Sequence, residues 1–446
     1  MSSSSIAKLD KKLIERISSS KNEPDWMFEK RLKGLELFNQ TEIPEWGADL
    51  SDLDLEELQY FVDPKVEQQK DWEEVPDNIR ETFDKLGIPE SEKEILSGSG
   101  AQYDSLMVYH NLKERLEKQG VVFENMDVAV QKYPEKLRKY FMTENVQIDE
   151  HKFAMLHAAV WSGGTFIYVP KNTQVNVPLQ AYFRMNEESS GQFEHTIIVV
   201  DKGARLRYIE ACSAPEYSTN SLHAGCVEIF VKENARVQFY SIENWSKNVY
   251  NLNTKRAIIE KNGTMEWITG NMGSKTTMLY PCSVLKGRGA SSDSLSLAVA
   301  GEGQVQDTGA KAIHMAENTS SNIVSKSISK NGGKCTFRGL IKITDKAKDS
   351  TASMDCDSLI LDDESIAETN PCADIQNNEV DVSHEAKVGR IGEEEMFYLR
   401  SRGLDEEQAK KLLVSGFIEP IVKKLPMEYA VELNKMIDLE MEGAVG

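Results

Sequence analysis

The sequence predicts a mainly β protein: a parallel β-helix core flanked by N-terminal and C-terminal α-helical domains. Three observations lead to this prediction. From about residue 165, β-branched and aromatic residues alternate with polar ones, as in Val227–Val231. Small-residue turns recur in the same region at spacings of 27 to 31 residues, a period typical of a solenoid. On both sides of this region, apolar residues fall at helical intervals instead.

Residues 1–160 are predicted to form the N-terminal helical domain. Two segments, Asp77–Leu86 and Asp104–Lys118, repeat apolar residues every three or four positions, as one face of a helix requires. Prolines such as Pro134 interrupt the region. The acidic run Asp49–Glu57 is interpreted as a solvated helix face or a linker.

Residues 161–386 are predicted to form the β-helix core. No helical pattern separates the strands, so each rung would bury its face on the next. A β-sandwich is the structural alternative, although its turns would recur at about 8–12 residues. Additional turns such as Asn331–Gly333 also interrupt the main period. The turns that define the period end at Ala204, Ala235, Gly263, Ala290, Thr319 and Ser350.

Residues 387–446 are predicted to form the C-terminal helical domain. Asp405 is the expected N-cap of its first helix, because acidic residues follow it in the first turn. A second helix is expected from about Met427 to Met441. An apolar stripe of this kind either packs on its own domain or docks on a partner. The stripe of the first helix consists of Ala409, Leu412, Leu413 and Phe417.

Charge and hydropathy restrict the class of function. The chain has 72 acidic and 52 basic residues and a formal net charge of -20, which disfavours nucleic-acid binding. No uninterrupted apolar run approaches the roughly 18 residues of a membrane span, so no membrane association is expected. The first residues lack the apolar stretch of a signal peptide. A cytoplasmic location is therefore predicted.

The cysteines do not form a metal-binding motif of their own. The six thiols include no Cys-x-x-Cys pair, which disfavours a zinc ribbon or a resident ferredoxin-type cluster. Most free cysteines are small core residues. Cys212, however, stands where a strand meets the Pro215 turn, a place that could leave its thiol accessible to accept a persulfide. An inert turn cysteine is the alternative interpretation.

Two further segments carry potential metal ligands. Cys356 lies between Asp355 and Asp357, whose charges would raise its pKa unless a metal removed the thiol proton. His384 and Glu385 are adjacent, and adjacent strand residues point to opposite faces. They would therefore reach one ion together only at a bend or an interface.

Together these segments closely resemble the SufB/SufD family of iron–sulfur cluster assembly proteins, and within it the SufB type. The resemblance extends over about 400 residues, from near Trp46 to the C-terminus. The matching segments are Val75–Glu90, Gln102–Ser105, Val108–His110, Gly164–Lys171, Glu210–Pro215, Asp307–Gly309, Cys356–Leu359, His384–Ala386 and Arg390–Glu393.

The resemblance implies a right-handed parallel β-helix and a non-enzymatic scaffold. Such a scaffold assembles a transient iron–sulfur cluster from persulfide sulfur and iron, and passes the cluster to carrier or target proteins. The implied partners are the SufC ATPase, SufD or a second SufB, and a desulfurase with a SufE- or SufU-like sulfur carrier. ATP hydrolysis would belong to SufC, since this chain has no phosphate loop. The residues do not indicate whether a reduced flavin is required.

The resemblance also assigns roles to particular residues. Cys212 corresponds to the sulfur acceptor, and Cys356, Glu385 and His384 correspond to the residues that hold iron and the nascent cluster at a subunit interface. The residues that resemble the lining of a sulfur path are Arg184, Asn186, Glu194, Trp245 and Lys255.

Two positions depart from the family pattern. Glu243 stands where the family often has Gln before Asn-Trp, and a carboxylate there would repel thiolates. Ser383 replaces an acidic residue of some relatives. Two alternative functions remain: a SufD-like structural partner subunit, and a β-helix carbohydrate-active enzyme, for which no acidic cluster is evident.

Overall fold

The structure is a computed structural model that describes residues 8–62 and 98–425, except 105 and 113, together with 430, 434 and 437. The predicted helix Asp77–Leu86 and nearly all of the predicted helix Met427–Met441 lie outside these residues. The described helices are α1 (Lys11–Ser20), α2 (Asp25–Gln40), α3 (Glu114–Lys118), α4 (Met126–Lys132), α5 (Pro134–Tyr140), α6 (Lys152–Val160), α7 (Glu393–Ser401) and α8 (Glu406–Val422).

Strands occupy most of the middle of the chain. They are β1 (Gly98–Tyr103), β2 (Leu106–Leu112), β3 (Val122–Asn125), β4 (Thr165–Val169), β5 (Gln174–Arg184), β6 (Gly191–Gln192), β7 (His195–Val200), β8 (Arg205–Ser213), β9 (Ser221–His223), β10 (Cys226–Val231), β11 (Arg236–Trp245), β12 (Val249–Ile259), β13 (Thr264–Gly273), β14 (Thr276–Leu279), β15 (Cys282–Leu285), β16 (Ser291–Ala300), β17 (Val305–His314), β18 (Ser320–Ser329), β19 (Lys334–Ile343), β20 (Ser350–Ile360), β21 (Ile366–Ile375) and β22 (Val380–Arg390).

These strands form a parallel β-solenoid, as the turn period predicts. The strands alternate along the chain between two sheets, so that each turn of the solenoid contributes to both. The first sheet runs β5-β8-β11-β13-β16-β18-β20-β22, and β10, β12, β17, β19 and β21 belong to the second. About eight turns lie in the described part of the chain. The last strand extends to Arg390, slightly beyond the predicted end of the core.

The recurring turns are tied to one another by backbone hydrogen bonds. Asn234 N donates to Lys261 O of the next turn at 2.9 Å, and Asn262 N donates to Arg288 O at 3.0 Å. Asn234 and Asn262 adopt left-handed φ values of 58° and 51°, which asparagine tolerates better than most residues. The repeated geometry explains why small or amide residues recur at nearly constant spacing.

The solenoid interior changes in character along its length. Its first half is filled by large side chains, including Tyr208, Phe239 and Trp267. Further along, serine and alanine replace them at the inward positions of β16 and β18, as at Ser296 and Ser325. The interior beside β16 and β18 is therefore more polar than that of the first half.

The N-terminal region packs helices on the second sheet, but it is not entirely helical. Every residue of α6 except Lys152 is buried. The predicted helix Asp104–Lys118 is wrong, because Leu106–Leu112 forms β2 and only Glu114–Lys118 is helical. Strand β2 pairs with β1, and β1 extends the first sheet beside β5. Pairing with this sheet edge outweighs a local helical spacing.

The C-terminal region places α8 on the outer face of the first sheet. The predicted N-cap is confirmed: Asp405 Oδ1 accepts from Gln408 N at 2.8 Å, and Gln408 Oε1 accepts from Asp405 N at 3.0 Å. Val414 and Ile418 of α8 are buried in the cluster that contains Leu297. In contrast, α7 buries none of its residues. No helix in the described ranges has both the length and the apolar character needed to span a membrane.

Candidate functional site

Cys212 lies inside the solenoid and not at its surface. Its side chain is 2% exposed, so the prediction of an accessible thiol is wrong. The physical reason is that β8 continues to Ser213, and the turn at Pro215 begins only after the strand has carried Cys212 into the core. Its neighbours in register are Phe183 on β5 and Glu243 on β11. Burial, reinforced by nearby carboxylates, raises the pKa of the thiol well above its usual value.

A buried lysine organises the interior beside this thiol. The ammonium of Lys255, on β12, donates to Glu210 Oε1 at 2.8 Å, to Ser241 Oγ at 2.7 Å and to Glu243 Oε1 at 2.8 Å. The side chains of the lysine and both glutamates are at most 1% exposed. Charges buried this deeply are tolerated only when they are paired and hydrogen-bonded, as they are here.

The protonation states of this cluster follow from its pairing. Burial opposes the charge on Lys255, but Glu210 and Glu243 outweigh it and raise the pKa of the ammonium. Burial also opposes the charge on Glu243, but Lys255 and His223 outweigh it and lower the pKa of that carboxyl to about 2. Burial raises the pKa of Glu210. Lys255 and Glu243 therefore form the charged pair. Lys255 balances the negative charge of Glu243, the residue noted above as a departure from the resemblance.

A histidine extends the network toward the second sheet. His223 Nε2 lies 2.5 Å from Glu194 Oε1, and His223 Nδ1 lies 2.8 Å from Asn251 Oδ1. Burial opposes the charge on His223, but the glutamates outweigh it and raise its pKa. A protonated ring donates from both nitrogens, which suits two acceptor oxygens. The Trp245 ring lies 4.4 Å from the His223 ring, and Asn251 Nδ2 donates to Glu243.

Arg184 and Asn186 lie at the edge of the network. Arg184 ends β5, and its Nη1 donates to Ser213 Oγ, the residue after Cys212, at 2.9 Å. The backbone of Asn186 accepts from Tyr217 Oη at 2.5 Å. The structure thus places Glu194, Trp245 and Lys255 in one interior cluster with Cys212, and the other two predicted path residues beside the segment that follows it.

A line of hydroxyl groups runs from this cluster toward Cys356. Glu210 and Cys356 occupy the same register position of the first sheet, on β8 and β20. Five inter-strand steps of about 4.8 Å separate them, roughly 24 Å in all. We call the four residues between them the hydroxyl column. In order they are Ser241, Thr269, Ser296 and Ser325, all of which are buried.

Cys356 lies one strand from the open end of the solenoid. Its Cα is in register with Ser325 on β18 and with Ala386 on β22, the last strand of this sheet. The side chain of Cys356 is 2% exposed, and toward the open end of the solenoid only β22 among the described strands covers it. Burial, together with Asp357 and Asp355, raises the pKa of the Cys356 thiol to about 11. The thiol is therefore protonated near neutral pH unless a metal ion displaces the proton.

His384 and Glu385 project from β22 to opposite sides, as strand alternation predicts. His384 is in register with the buried Met354, so it shares the inward side with Cys356. Glu385 is in register with the outward residue Asp355, is 59% exposed and pairs with Lys387 at 2.8 Å. Both residues are exposed because no further strand covers β22 in the described structure. Within one chain, Cys356 and His384 share a face and Glu385 does not.

Several residues of the interior network were not singled out from the sequence. A usable signal was present, since a strand that alternates inward and outward should place few polar residues inward. Glu210 and Cys212 on β8, and Ser241 and Glu243 on β11, are polar residues at inward positions, so both strands depart from that expectation. His223 and Asn251 gave no such signal: they are register partners on neighbouring strands of the second sheet, and Asn251 reaches the network by donating across the interior to Glu243.

The interior site and the fold define a β-solenoid protein with two buried, widely separated thiols joined by polar residues. Residues 183–417 match the family described as SUF system FeS cluster assembly, SufBD core domain, and residues 16–181 match the SufBD protein N-terminal region. The chain belongs to the SufBD family of iron–sulfur cluster assembly proteins.

Similar proteins carry the same description. Over 438 residues, the chain is 52% identical to an iron–sulfur cluster assembly SufBD family protein of Staphylococcus aureus strain MRSA252. The similarity covers 98% of this chain and 94% of that protein. A protein with the same description from Staphylococcus epidermidis strain ATCC 35984 is also 52% identical, with the same coverage of both chains.

Proposed function

We propose that this chain is a scaffold of the SufB type, on which sulfur is accepted at Cys212 and an iron–sulfur cluster is assembled as cargo at Cys356. The observation that carries the proposal is the hydroxyl column, which joins the surroundings of the two thiols through the solenoid interior. A structural subunit has no need to place buried charges beside one thiol and aligned hydroxyls on the way to another.

Sulfur uptake begins at Cys212. The Cys212 thiol gives up its proton and attacks the outer sulfur of a persulfide on a carrier of the SufE or SufU type, and the carrier leaves as a thiolate that takes up a proton. Because Cys212 is 2% exposed, the carrier needs the segment after Ser213 to open. That segment is held by the hydrogen bond from Tyr217 Oη to the Asn186 carbonyl, which a docking carrier would break.

Transfer to Cys356 requires a mobile species, since roughly 24 Å is too far for one thiol to attack a persulfide on the other. A small thiol reductant supplies it: the thiolate attacks the sulfur bonded to the Cys212 carbon, a mixed disulfide forms, and hydrosulfide leaves. Hydrosulfide is an anion, and serine and threonine hydroxyls can donate hydrogen bonds to it. Hydrosulfide also has the oxidation level of cluster sulfide.

The cluster would form at the open end of the solenoid. Cys356 and His384 supply sulfur and nitrogen ligands there, and Glu385 supplies a carboxylate at the rim. So few ligands from one chain favour a shared, labile site that a partner completes. A SufD subunit or a second copy of this chain fits this role, because β22 has a free hydrogen-bonding edge in the described structure.

The C-terminal helices would receive the ATPase. Phe397 and Tyr398 of α7 are 76% and 56% exposed, and Phe397 lines a groove together with Met396 and Leu404. Exposed aromatic residues at this density are typical of a docking surface. The helices begin directly after β22, so movement of a bound SufC could be transmitted to the strand that covers Cys356.

Anaerobic cluster reconstitution tests the proposal. With ferrous iron and free sulfide, the parent chain and Cys212→Ser should develop visible cluster absorption, and Cys356→Ser should not. With a desulfurase and carrier as the sulfur source, Cys212→Ser should also fail. Cys335→Ser is the matched control, since Cys335 is equally buried but lies among Ala298 and Ala300. Full cluster formation by the double Cys212→Ser and Cys356→Ser variant would favour the SufD-like alternative.

A further inference from the structure

Three metal-binding side chains meet outside the solenoid interior, beneath helix α6. His157 of α6, His195 at the start of β7 and Cys226 at the start of β10 place two ring nitrogens and one sulfur within 4.8 Å of one another. Their side chains are 2%, 0% and 1% exposed. His195 and Cys226 are register partners on neighbouring strands, so the sheet itself fixes two of the three groups.

The outer hydrogen bonds of the two histidines leave their inner nitrogens available. His157 Nδ1 lies 2.8 Å from the carbonyl oxygen of Ala224, and His195 Nε2 lies 3.1 Å from Glu228 Oε1. If each ring donates to its oxygen, the lone pairs of His157 Nε2 and His195 Nδ1 face each other at 2.8 Å. Two lone pairs cannot approach this closely without a positive charge between them. Metal-binding histidines commonly show this pattern, in which the distal N–H is held by a carbonyl or a carboxylate.

We propose that His157 Nε2, His195 Nδ1 and Cys226 Sγ bind one divalent metal ion of the zinc class. Imidazole and thiolate together suit such an ion. The charges also balance: a divalent cation is neutralised by one thiolate and by the carboxylate of Glu228, which is anchored by the backbone amides of Met142 and Val146 at 2.7 and 3.0 Å. Three protein donors leave a fourth position for water or another small ligand.

The surroundings suit a structural ion. The Phe141 ring stacks on the His195 ring, with 3.8 Å between ring centroids, and closes one side of the site. Binding would separate the two nitrogens to about 3.3–3.6 Å, a movement of roughly half an ångström or more. The ion would tie α6 to β7 and β10, in a different place from the cargo cluster.

The competing occupant of this space is a proton. Without a metal, a proton on the buried Glu228 carboxyl would be donated to His195 Nε2, which lies 3.1 Å from Oε1. His195 Nδ1 would then donate to His157 Nε2, and the chain would be satisfied without an ion. The two states differ in metal content and in the infrared signal of a protonated carboxyl.

Metal analysis of the full chain, produced with zinc in the medium, separates the two states. We expect one zinc per chain in the parent, in Cys335→Ser and in Cys356→Ser, and loss of zinc in Cys226→Ser. Glu228→Gln should weaken zinc binding by about 10–100-fold. Because Cys356→Ser removes the proposed cluster site, zinc in that variant cannot be confused with cargo iron.

A second measurement uses only the parent chain, so it does not require that any variant folds. The parent chain produced with Co²⁺ should show an absorption band for thiolate-to-cobalt charge transfer. A parent chain that holds no stoichiometric metal and shows no such band would overturn the proposal. So would retention of zinc in Cys226→Ser, or an infrared carbonyl band of protonated carboxyl in the parent that disappears in Glu228→Gln.

Discussion

Lys255 and Glu243 form an ion pair inside the solenoid, with 2.8 Å between Nζ and Oε1 and side-chain exposures of 1% and 0%. The pair bears on the proposed sulfur uptake because Glu243 lies in register beside Cys212. Compensation by Lys255 leaves the thiol next to a neutral pair and not next to an isolated negative charge. The pair also makes the region sensitive to the loss of one partner.

Replacing Lys255 with methionine should destabilise the fold by about 3–5 kcal/mol, because a buried carboxylate loses its counter-ion. Urea denaturation followed by circular dichroism measures the change. Lys232→Met is the matched control, since its ion pair with Glu260 is 20% and 41% exposed and should be worth less than about 1 kcal/mol. Equal losses in the two variants would show that the interior pair is not buried as described.

Thr269→Val and Ser296→Ala should slow cluster formation at least several-fold when sulfur is first loaded on Cys212. Each change removes one hydroxyl of the column with little change in volume. The rate with free sulfide should not change, because that sulfide reaches Cys356 from the open end. Ser292→Ala, a buried serine of β16 outside the column, is the control. A slowdown of the same size with both sulfur sources would argue against transfer along the hydroxyl column.

Asp104→Asn should stabilise the chain at high pH. Burial raises the pKa of Asp104 to about 6, against an ordinary value of 3.8. The folded chain therefore holds this proton more tightly than the unfolded chain does. The stability that the group contributes is complete below about pH 4 and is lost as the pH rises through about 6.

Asparagine keeps the oxygen that accepts from the Asn186 amide and carries no charge. It also tolerates the left-handed φ of 52° at this position. The variant should match the parent at pH 4 and exceed it by about 2–3 kcal/mol at pH 8. Unfolding free energies at these two pH values test this. A constant difference across the range would mean that Asp104 is already ionised at pH 4.

If SufC docks on α7 as proposed, Phe397→Ser should weaken its binding by at least tenfold without changing the melting temperature of the chain. The side chain is 76% exposed and contributes little to the core of this chain. Leu412→Ser, at a residue of α8 that is 52% exposed, is the control for loss of exposed apolar surface. Isothermal titration with purified SufC measures both. Equal weakening would place the docking surface elsewhere on these helices.

The solenoid could be predicted from sequence because its turns repeat. Asn234 and Asn262 mark successive corners, and each position is dictated by a local left-handed backbone. The strand Leu106–Leu112 could not be predicted in the same way, because its conformation depends on pairing with β1. Local spacing carries no information about such a distant partner.

The candidate site could be predicted only in part from the sequence. The roles proposed for Cys212 and Cys356 rest on a family resemblance, and the structure shows where the two residues lie relative to each other. Burial of Cys212 follows from where β8 ends, a matter of one or two residues that sequence patterns do not resolve. The contact of His223 with Glu194 joins separate turns of the solenoid, and only the folded chain brings them together.

Sulfur tracing tests the central claim most directly. Cys212 is loaded with labelled persulfide sulfur, excess donor is removed, and ferrous iron and a small thiol are added without oxygen. In the parent and in Cys335→Ser, the label should appear as acid-labile sulfide in a protein-bound cluster, whereas Cys356→Ser should form no labelled cluster. Labelled cluster in Cys356→Ser at the parent level would contradict the account.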